Sequence, residues 1–264
     1  MATEFTGGGD PRRSIELLWG VSGPGRRGPK PSRSAEEVIH AAIALADAEG
    51  LPAVSMRRVA EAVGLSPMSL YTYVPSKAEL IDLMLDRVWA EIEELDPAVG
   101  GWRPRLEFLA RQRWALGERH PWMLQVATHR PPLGPNVLAK IDSAFRAVDG
   151  VGLTEVEMDL MVSLISDYVR GAVRAAVEAR EIEQQTGITD QQWRSNNKEY
   201  LEGLVDPERY PTLVRVGAAC VAAYADGIDH AKKFEFGLQR VLDGVEAFIT
   251  GVAARRAAEH SGAA

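Results

Sequence analysis

One cysteine, Cys220, is all that 264 residues contain, so no internal disulfide framework is available. Long apolar runs are missing as well. The longest, residues 216–225, is about half of the roughly 18–20 residues a membrane span requires, and it reads as a buried helix. The N-terminus lacks the features of a secretion signal: Glu4 and Asp10 come early, and Leu17-Leu18-Trp19 is too short for an apolar core. These absences point to a cytoplasmic protein with no membrane partner. The histidines (His40, His120, His129, His230 and His260) are scattered without metal-ligand spacing. There is no phosphate-binding Walker loop, no G-x-S-x-G and no H-E-x-x-H. Residues 23–28 formally match G-x-G-x-x-G, but no strand precedes them, and Pro29 and Pro31 stand where a helix should open. Neither an enzyme, a metal site nor a cofactor is expected. No run alternates with the two-residue period of a half-buried strand.

The charge is unevenly spread. The chain carries −7 overall, yet residues 11–33 hold Arg12, Arg13, Arg26, Arg27, Lys30 and Arg33 against Glu16, a local +5. A basic arm on an acidic body suits a protein that turns one face to a polyanion; a merely solvated tail is the other reading. Residues 1–33 contain Gly7-Gly8-Gly9, Pro24, Pro29 and Pro31 and no sustained period, so they are expected to be a disordered arm.

From residue 34 onward, helix signals follow one another. Capping boxes, Ser or Thr followed three residues later by Glu or Gln, stand at Ser34/Glu37, Ser76/Glu79, Thr154/Glu157 and Thr189/Gln192. They predict an all-α protein. The first helix is expected over 35–49, stopped by Gly50. A second follows Ser55, a short third spans 67 to about 73, and a fourth begins at Ser76 with Ile81, Met84, Leu85, Val88 and Ile92 as its stripe. Helices near 102–118, 121–127, 135–148, 155–183, 189–204, 207–225 and 233–253 then make a larger body, broken by the proline-rich stretch 128–135.

Two short helices around a glycine turn form a helix-turn-helix pattern, in which Gly64 supplies the left-handed turn and Leu65 and Leu70 lock the pair. The second helix must present short side chains at its N-terminal end so that its backbone can enter the major groove. Ser66, Pro67, Met68 and Ser69 meet that demand. Tyr71 and Tyr73 flank it with hydroxyls, and Lys77 adds a charge.

The stretch Val54-Ser55-Met56-Arg57-Arg58-Val59-Ala60-Glu61-Ala62-Val63-Gly64-Leu65-Ser66, continuing through Leu70-Tyr71-Thr72-Tyr73-Val74 to Ser76-Lys77, resembles the DNA-binding domain of the TetR family. The body resembles the tetracycline-repressor branch at Trp102, at Thr128-His129-Arg130-Pro131 and at Phe234-Glu235-Phe236-Gly237-Leu238. The resemblance implies a helix-turn-helix head (34–78) joined through its fourth helix to a ligand-binding and dimerisation domain (79–264), binding double-stranded operator DNA as a homodimer. Arg57 then reaches a base or its phosphate, Met68 and Thr72 pack on thymine methyls, and Ser66, Ser69, Tyr71, Tyr73 and Lys77 contact the backbone. Alternatively, one tyrosine simply packs the head. Arg26, Arg27, Lys30 and Arg33 either enter the flanking minor groove or only raise electrostatic affinity.

The implied dimer uses the eighth and last helices. Phe234, Leu238, Val241, Val245 and Phe248 form one apolar stripe, and Met161, Leu164, Ile165 and Tyr168 another. Trp114, His120, Trp122, His129, Arg130, Tyr168 and Trp193 are the candidate contacts for a small-molecule effector. Where tetracycline-binding members hold magnesium through histidines, Glu93 and Val126 stand here, which argues for a different effector. A ligand-independent regulator controlled by a protein partner is the alternative.

Overall fold

The computed structural model describes residues 4–21, 34–96, 98–224 and 227–262. Among them are eleven helices, two short 3-10 turns and one pair of two-residue strands.

In the head, Ser34 and Glu37 close a reciprocal box at the start of α2 (Ala35–Glu49), leaving none of that turn's polar groups to compete with the helix. Gly50, at φ 82°, ends it. After a 3-10 turn at Leu51–Ala53, Ser55 caps α3 (Met56–Ala62), and Ser66 caps α4 (Pro67–Leu70). The turn between them needs a positive φ at Gly64, 70°. Val38, Ala42, Val54, Val59, Leu70 and Val74 meet Leu80, Ile81, Met84 and Val88 of α5 (Lys77–Trp89) in one buried cluster. The head's core therefore extends along α5 well beyond residue 78.

The body packs α6 (Trp102–Arg119), α7 (Pro135–Val148), α8 (Glu155–Thr186) and α11 (His230–Gly262) around Leu106, Ala110, Val148, Ile165, Val169, Leu238 and Leu242. Helices α6 and α8 approach closely at Gly117, where an added Cβ would lie 2.7 Å from Val173 Cγ1. Arg103 and Arg111 bind carboxylates of α11, adding Arg103–Asp243 and Arg111–Glu235 pairs, each at 2.6 Å, to the apolar seam.

Several expectations change. Residues 1–33 are not an unstructured arm throughout. Asp10 accepts from the backbone N–H groups of Arg12 and Arg13 and starts α1 (Pro11–Leu18), while β1 (Glu4–Phe5) pairs in parallel with β2 (Val126–Ala127). These short elements are held by distant partners, which local sequence does not reveal. The helix expected at 121–127 is a 3-10 turn, Pro121–Gln125, followed by β2, and the third head helix stops at Leu70. At Ser76/Glu79 the box is altered: Ser76 accepts from the Ala78 N–H and donates its hydroxyl to Glu79, whose other oxygen accepts from the N–H of Asp10 at 3.3 Å. Within the run 216–225, the described residues 216–224 are not buried. Among the described side chains of α9 (Asp190–Glu202) and α10 (Pro211–Ala223) none is buried, and Cys220 is exposed.

The apolar stripe of α11 also faces inward. Phe234, Leu238 and Val245 are buried in their own subunit, as is Ile165 on α8. Among the large apolar side chains left outward are Val156, Leu160, Leu164 and Ile182 on α8 and Phe236 on α11, with open space beside Gly244.

Candidate nucleic-acid interface

The reading surface is built by two serine caps. Ser55 accepts from the Arg58 N–H and aligns α3, and Ser66 accepts from the Ser69 N–H at 3.1 Å and aligns α4. Ser66 and Ser69 also bond each other through their hydroxyls at 2.9 Å. Pro67 occupies the first turn, where its missing N–H costs nothing. Met68 then stands 77% exposed. Thr72 donates its hydroxyl to the Ser69 carbonyl at 2.6 Å, so its polar end is engaged and its methyl is the group left to pack. Arg57 is exposed, with only a loose 3.6 Å pair to Glu61 on its own helix. Its neighbour Arg58 is a bolt, bonded to both carboxylate oxygens of Glu49 at 2.6 and 3.0 Å. That bond pulls the Glu49 carboxyl below the ordinary carboxylate range, against the opposing effect of burial.

The two tyrosines separate. Tyr71 is exposed, whereas Tyr73 is partly buried against the head core, which favours the packing role for that one. Lys77 is already engaged: its Nζ lies 2.7 Å from Glu4 of the N-terminal segment. Arg26, Arg27, Lys30 and Arg33 lie outside the described residues.

The N-terminal segment is strapped along α5 and onto the body. Gly7 N–H donates to Asp82 at 3.2 Å, Asp10 N–H to Glu79, Thr6 to the carbonyls of Ala127 and Arg130, and Trp19 Nε1 to the Leu133 carbonyl at 2.8 Å. Burial holds the Asp82 carboxyl above its ordinary range, against the Gly7 bond that lowers it. One turn on, Asp86 accepts from Val137 N–H at 2.9 Å and Asn136 Nδ2 at 2.8 Å. It thereby supplies the acceptors the N-terminus of α7 lacks. Gly134 has no room for a Cβ beside it. Helix α5 thus carries three buried carboxylates: Glu79 and Asp82 hold the N-terminal segment, and Asp86 holds the start of α7.

A second joint ties α2 to the body. His120, buried, places Nδ1 2.7 Å from Asp47 and Nε2 3.1 Å from Glu91. Trp122, 1% exposed, donates Nε1 to the same Asp47 oxygen at 2.8 Å. Both ring nitrogens of His120 lie within hydrogen-bond distance of a carboxylate oxygen, one on each side of the ring. Burial opposes ionisation of Glu91, but bonds from His120 and Arg119 outweigh it and hold its carboxyl below the ordinary value of 4.5.

The candidate effector residues therefore fall into separate places. His120 and Trp122 belong to the head–body joint. Trp114 and Tyr168 are brought together by a residue the sequence reading assigned elsewhere, Phe234, which stacks on Trp114 at 4.4 Å and on Tyr168 at 6.0 Å. The Tyr168 hydroxyl donates to the Phe234 carbonyl at 2.6 Å. His129 and Arg130 are exposed on the loop after β2, and Trp193 is exposed on α9. Glu93 is exposed and Val126 is buried. Among the described residues no group of three or more His, Cys, Asp or Glu is arranged to hold a metal ion, and no helix is long and apolar enough to cross a membrane.

A capped two-helix reader on a long shaft, attached to a larger helical body, matches known proteins at both ends. Residues 38–84 match the family described as bacterial regulatory proteins, tetR family, and residues 96–249 match the tetracyclin repressor-like C-terminal domain. The chain belongs to the TetR family. It is 42% identical over 249 residues to the HTH-type transcriptional repressor DrrR1 of Streptomyces coeruleorubidus, covering 94% of this chain and 90% of that one. An HTH-type transcriptional regulator of Saccharopolyspora erythraea is 32% identical over 147 residues, 55% of this chain and 62% of that one. Among solved structures, the TetR family protein ActR of Streptomyces coelicolor, in complex with actinorhodin, superposes with a TM-score of 0.69 at 26% identity, covering 82% and 96% of the two chains. As a TetR-family regulator the chain is an all-α DNA-binding protein, with its helix-turn-helix in α3 and α4.

Proposed function

We propose that this chain is a ligand-responsive transcriptional repressor that binds a palindromic operator as a homodimer and is released by a small molecule other than a tetracycline–magnesium chelate. The observation that carries the reading is the exposed surface of α3 and α4. Arg57, Met68, Tyr71 and Thr72 are outward there, while Val59, Ala60 and Leu70 of the same helices are buried. A short, capped helix with an exposed guanidinium on the preceding helix is suited to the major groove.

The dimer reading is supported by the outward row Val156, Leu160 and Leu164 on α8 and by Phe236 and Gly244 on α11. Two-fold symmetry then sets the readers about one DNA turn apart, roughly 34–36 Å. The repressor reading is supported by DrrR1, which is named a repressor, and release by a small molecule by ActR, which has been solved with actinorhodin and with (S)-DNPA.

In vitro selection against a random duplex library tests the operator reading: a two-fold symmetric motif supports it, and no enrichment by folded protein overturns it. Within the selected site, Arg57→Ala should relax sequence preference, whereas Lys77→Ala should weaken specific and random DNA alike. Equal losses from both variants on both DNAs would refute this division of roles.

A further inference from the structure

The inward face of α6 carries Leu106, Leu109 and Ala110, and then, one turn on, Arg113 where a fourth apolar side chain would continue the stripe. Arg113 is partly buried, and these residues with Ala144 of α7 and Val162 and Ile165 of α8 line a cleft of about 10 Å³, the room of a single water molecule. Its guanidinium bonds the Ser166 hydroxyl and lies 5.1 Å from the centre of the Trp89 ring at the end of α5. Ser166 already donates to the Val162 carbonyl at 2.7 Å, so it can only accept from the arginine. Among the described residues no carboxylate pairs with Arg113, and the charge that bears on it is that of Arg170, of the same sign. Desolvation pushes its pKa down to about 10, so the group remains a cation at neutral pH.

This differs from the molecule's other interhelical cations. Arg103, Arg111 and Arg180 each meet a carboxylate of another helix, and Arg119 and Lys140 each meet one in the stretch that follows α5. A buried charge without a counter-ion is a cost that packing alone does not explain, since an aliphatic residue would fill the same stripe. Five donors in a fork, facing an apolar cleft between an indole and a serine, suit an anionic oxygen group on an apolar, planar skeleton.

We infer that Arg113 is the anchor for an organic anion, and that the effector of this protein carries a carboxylate, phenolate, enolate or sulfonate group bound between α6, α8 and Trp89. The inference rests on the effector reading above and adds the ligand class. Binding requires the collapsed cleft to widen, which displaces α6 and α8 against each other and moves Trp89. A ligand bound only in the widened state shifts the population toward it. Because Trp89 is the last residue of α5, the displacement is applied to the same shaft that packs the reading head.

The test uses the full-length protein and two fluorescent probes of one skeleton: 8-anilinonaphthalene-1-sulfonate, an anion, and N-phenyl-1-naphthylamine, which is neutral. The wild type should bind the sulfonate about tenfold more tightly than the amine, a difference of the size a charge-assisted bond supplies. Arg113→Gln should abolish the preference, and Arg113→Lys should restore most of it. Arg113→Met should lose the preference while its melting temperature stays equal to the wild type or rises. An unchanged preference in Arg113→Gln overturns the anchor. So does a fall in melting temperature for Arg113→Met that Arg113→Lys repairs without restoring the preference, because that marks a structural bolt through Trp89 and Ser166. If both probes bind all variants alike, only the anion anchor fails. If neither probe binds the wild type, the effector reading fails with it.

Discussion

Replacing His120 by alanine removes the centre of the joint between α2 and the body. Its polar contacts with two carboxylates go, to Asp47 at 2.7 Å and to Glu91 at 3.1 Å. In isolation each is of the class worth about 1.5–3 kcal/mol. Neither carboxylate is stranded, however, because Asp47 keeps the Trp122 indole and Glu91 keeps Arg119. Both side chains are also about a third exposed, so water replaces part of what is lost. Adding the void left by the ring, the net cost is about 2–4 kcal/mol. For a chain of this size that is a fall of about 5–12 °C in melting temperature. The assay is thermal unfolding followed by circular dichroism on wild type, His120→Ala, Asp47→Ala and the double variant. The cycle should return a coupling of about 1–3 kcal/mol between the two positions. A melting temperature within a degree of the wild type, or strict additivity, would show that the joint is ornamental and that Trp122 packing alone holds the head.

Three further outcomes follow from the same structure. Gly117→Ala gains about 1 kcal/mol of helix propensity but presses a methyl into Val173, at a cost of about 1–3 kcal/mol, so it should destabilise on balance in chemical denaturation. Val173→Ala in the same chain should relieve it. Glu91, with a folded-state pKa below 4.5, contributes stability that is complete above that value and is lost as the pH falls through the folded pKa. Glu91→Gln should therefore flatten the acid limb of a stability–pH curve and leave its alkaline limb unchanged. Glu4→Gln frees Lys77 from its 2.7 Å partner, so operator affinity should rise and the salt dependence should steepen by about one phosphate contact. An unchanged salt slope, measured by fluorescence anisotropy, would show that Lys77 does not touch DNA.

What could be read from the chain alone was what local chemistry decides. Ser34/Glu37, Thr154/Glu157 and Thr189/Gln192 close their boxes as their spacing requires, and α2 and α7 run over the residues that apolar period and flanking Gly and Pro mark out. The turn at Gly64 is likewise a property of one residue. Misread elements depend on something distant. Glu79 has the spacing of a capping partner and does bond the Ser76 hydroxyl, but the backbone N–H it accepts from is that of Asp10, in a segment too short to show a period. The stripe Phe234, Leu238 and Val245 has the pattern of an interface, but period alone does not say whether the covering helix belongs to the same chain; here it is α8 of the same subunit. His120 and Trp122 are open by type between pocket and structural roles, and only the fold reveals that Asp47 lies beside them. Arg113 gave no signal in composition or motif. It became visible only as a charge in an otherwise apolar stripe with no carboxylate across from it.

A signal from the body can reach the reading helices only through groups that touch both. Helix α5 is the one element that contributes its apolar face to the head core while its acidic residues hold α7 and the N-terminal strap. Its first residue, Lys77, is held by Glu4, whose strand pairs with β2, and its last, Trp89, lies against Arg113. A change at α6 and α8 that displaces Trp89 therefore competes with the Asp86–α7 bond and the strap, all acting on one rigid rod. Such a rod carries displacement because its core is packed, so it moves as a body. The strap and the Asp47–His120 joint both hold the head to the stretch 120–133. Weakening either should lower the resistance to that movement, and effector concentrations for operator release should fall in Asp47→Ala even where operator affinity without effector is unchanged.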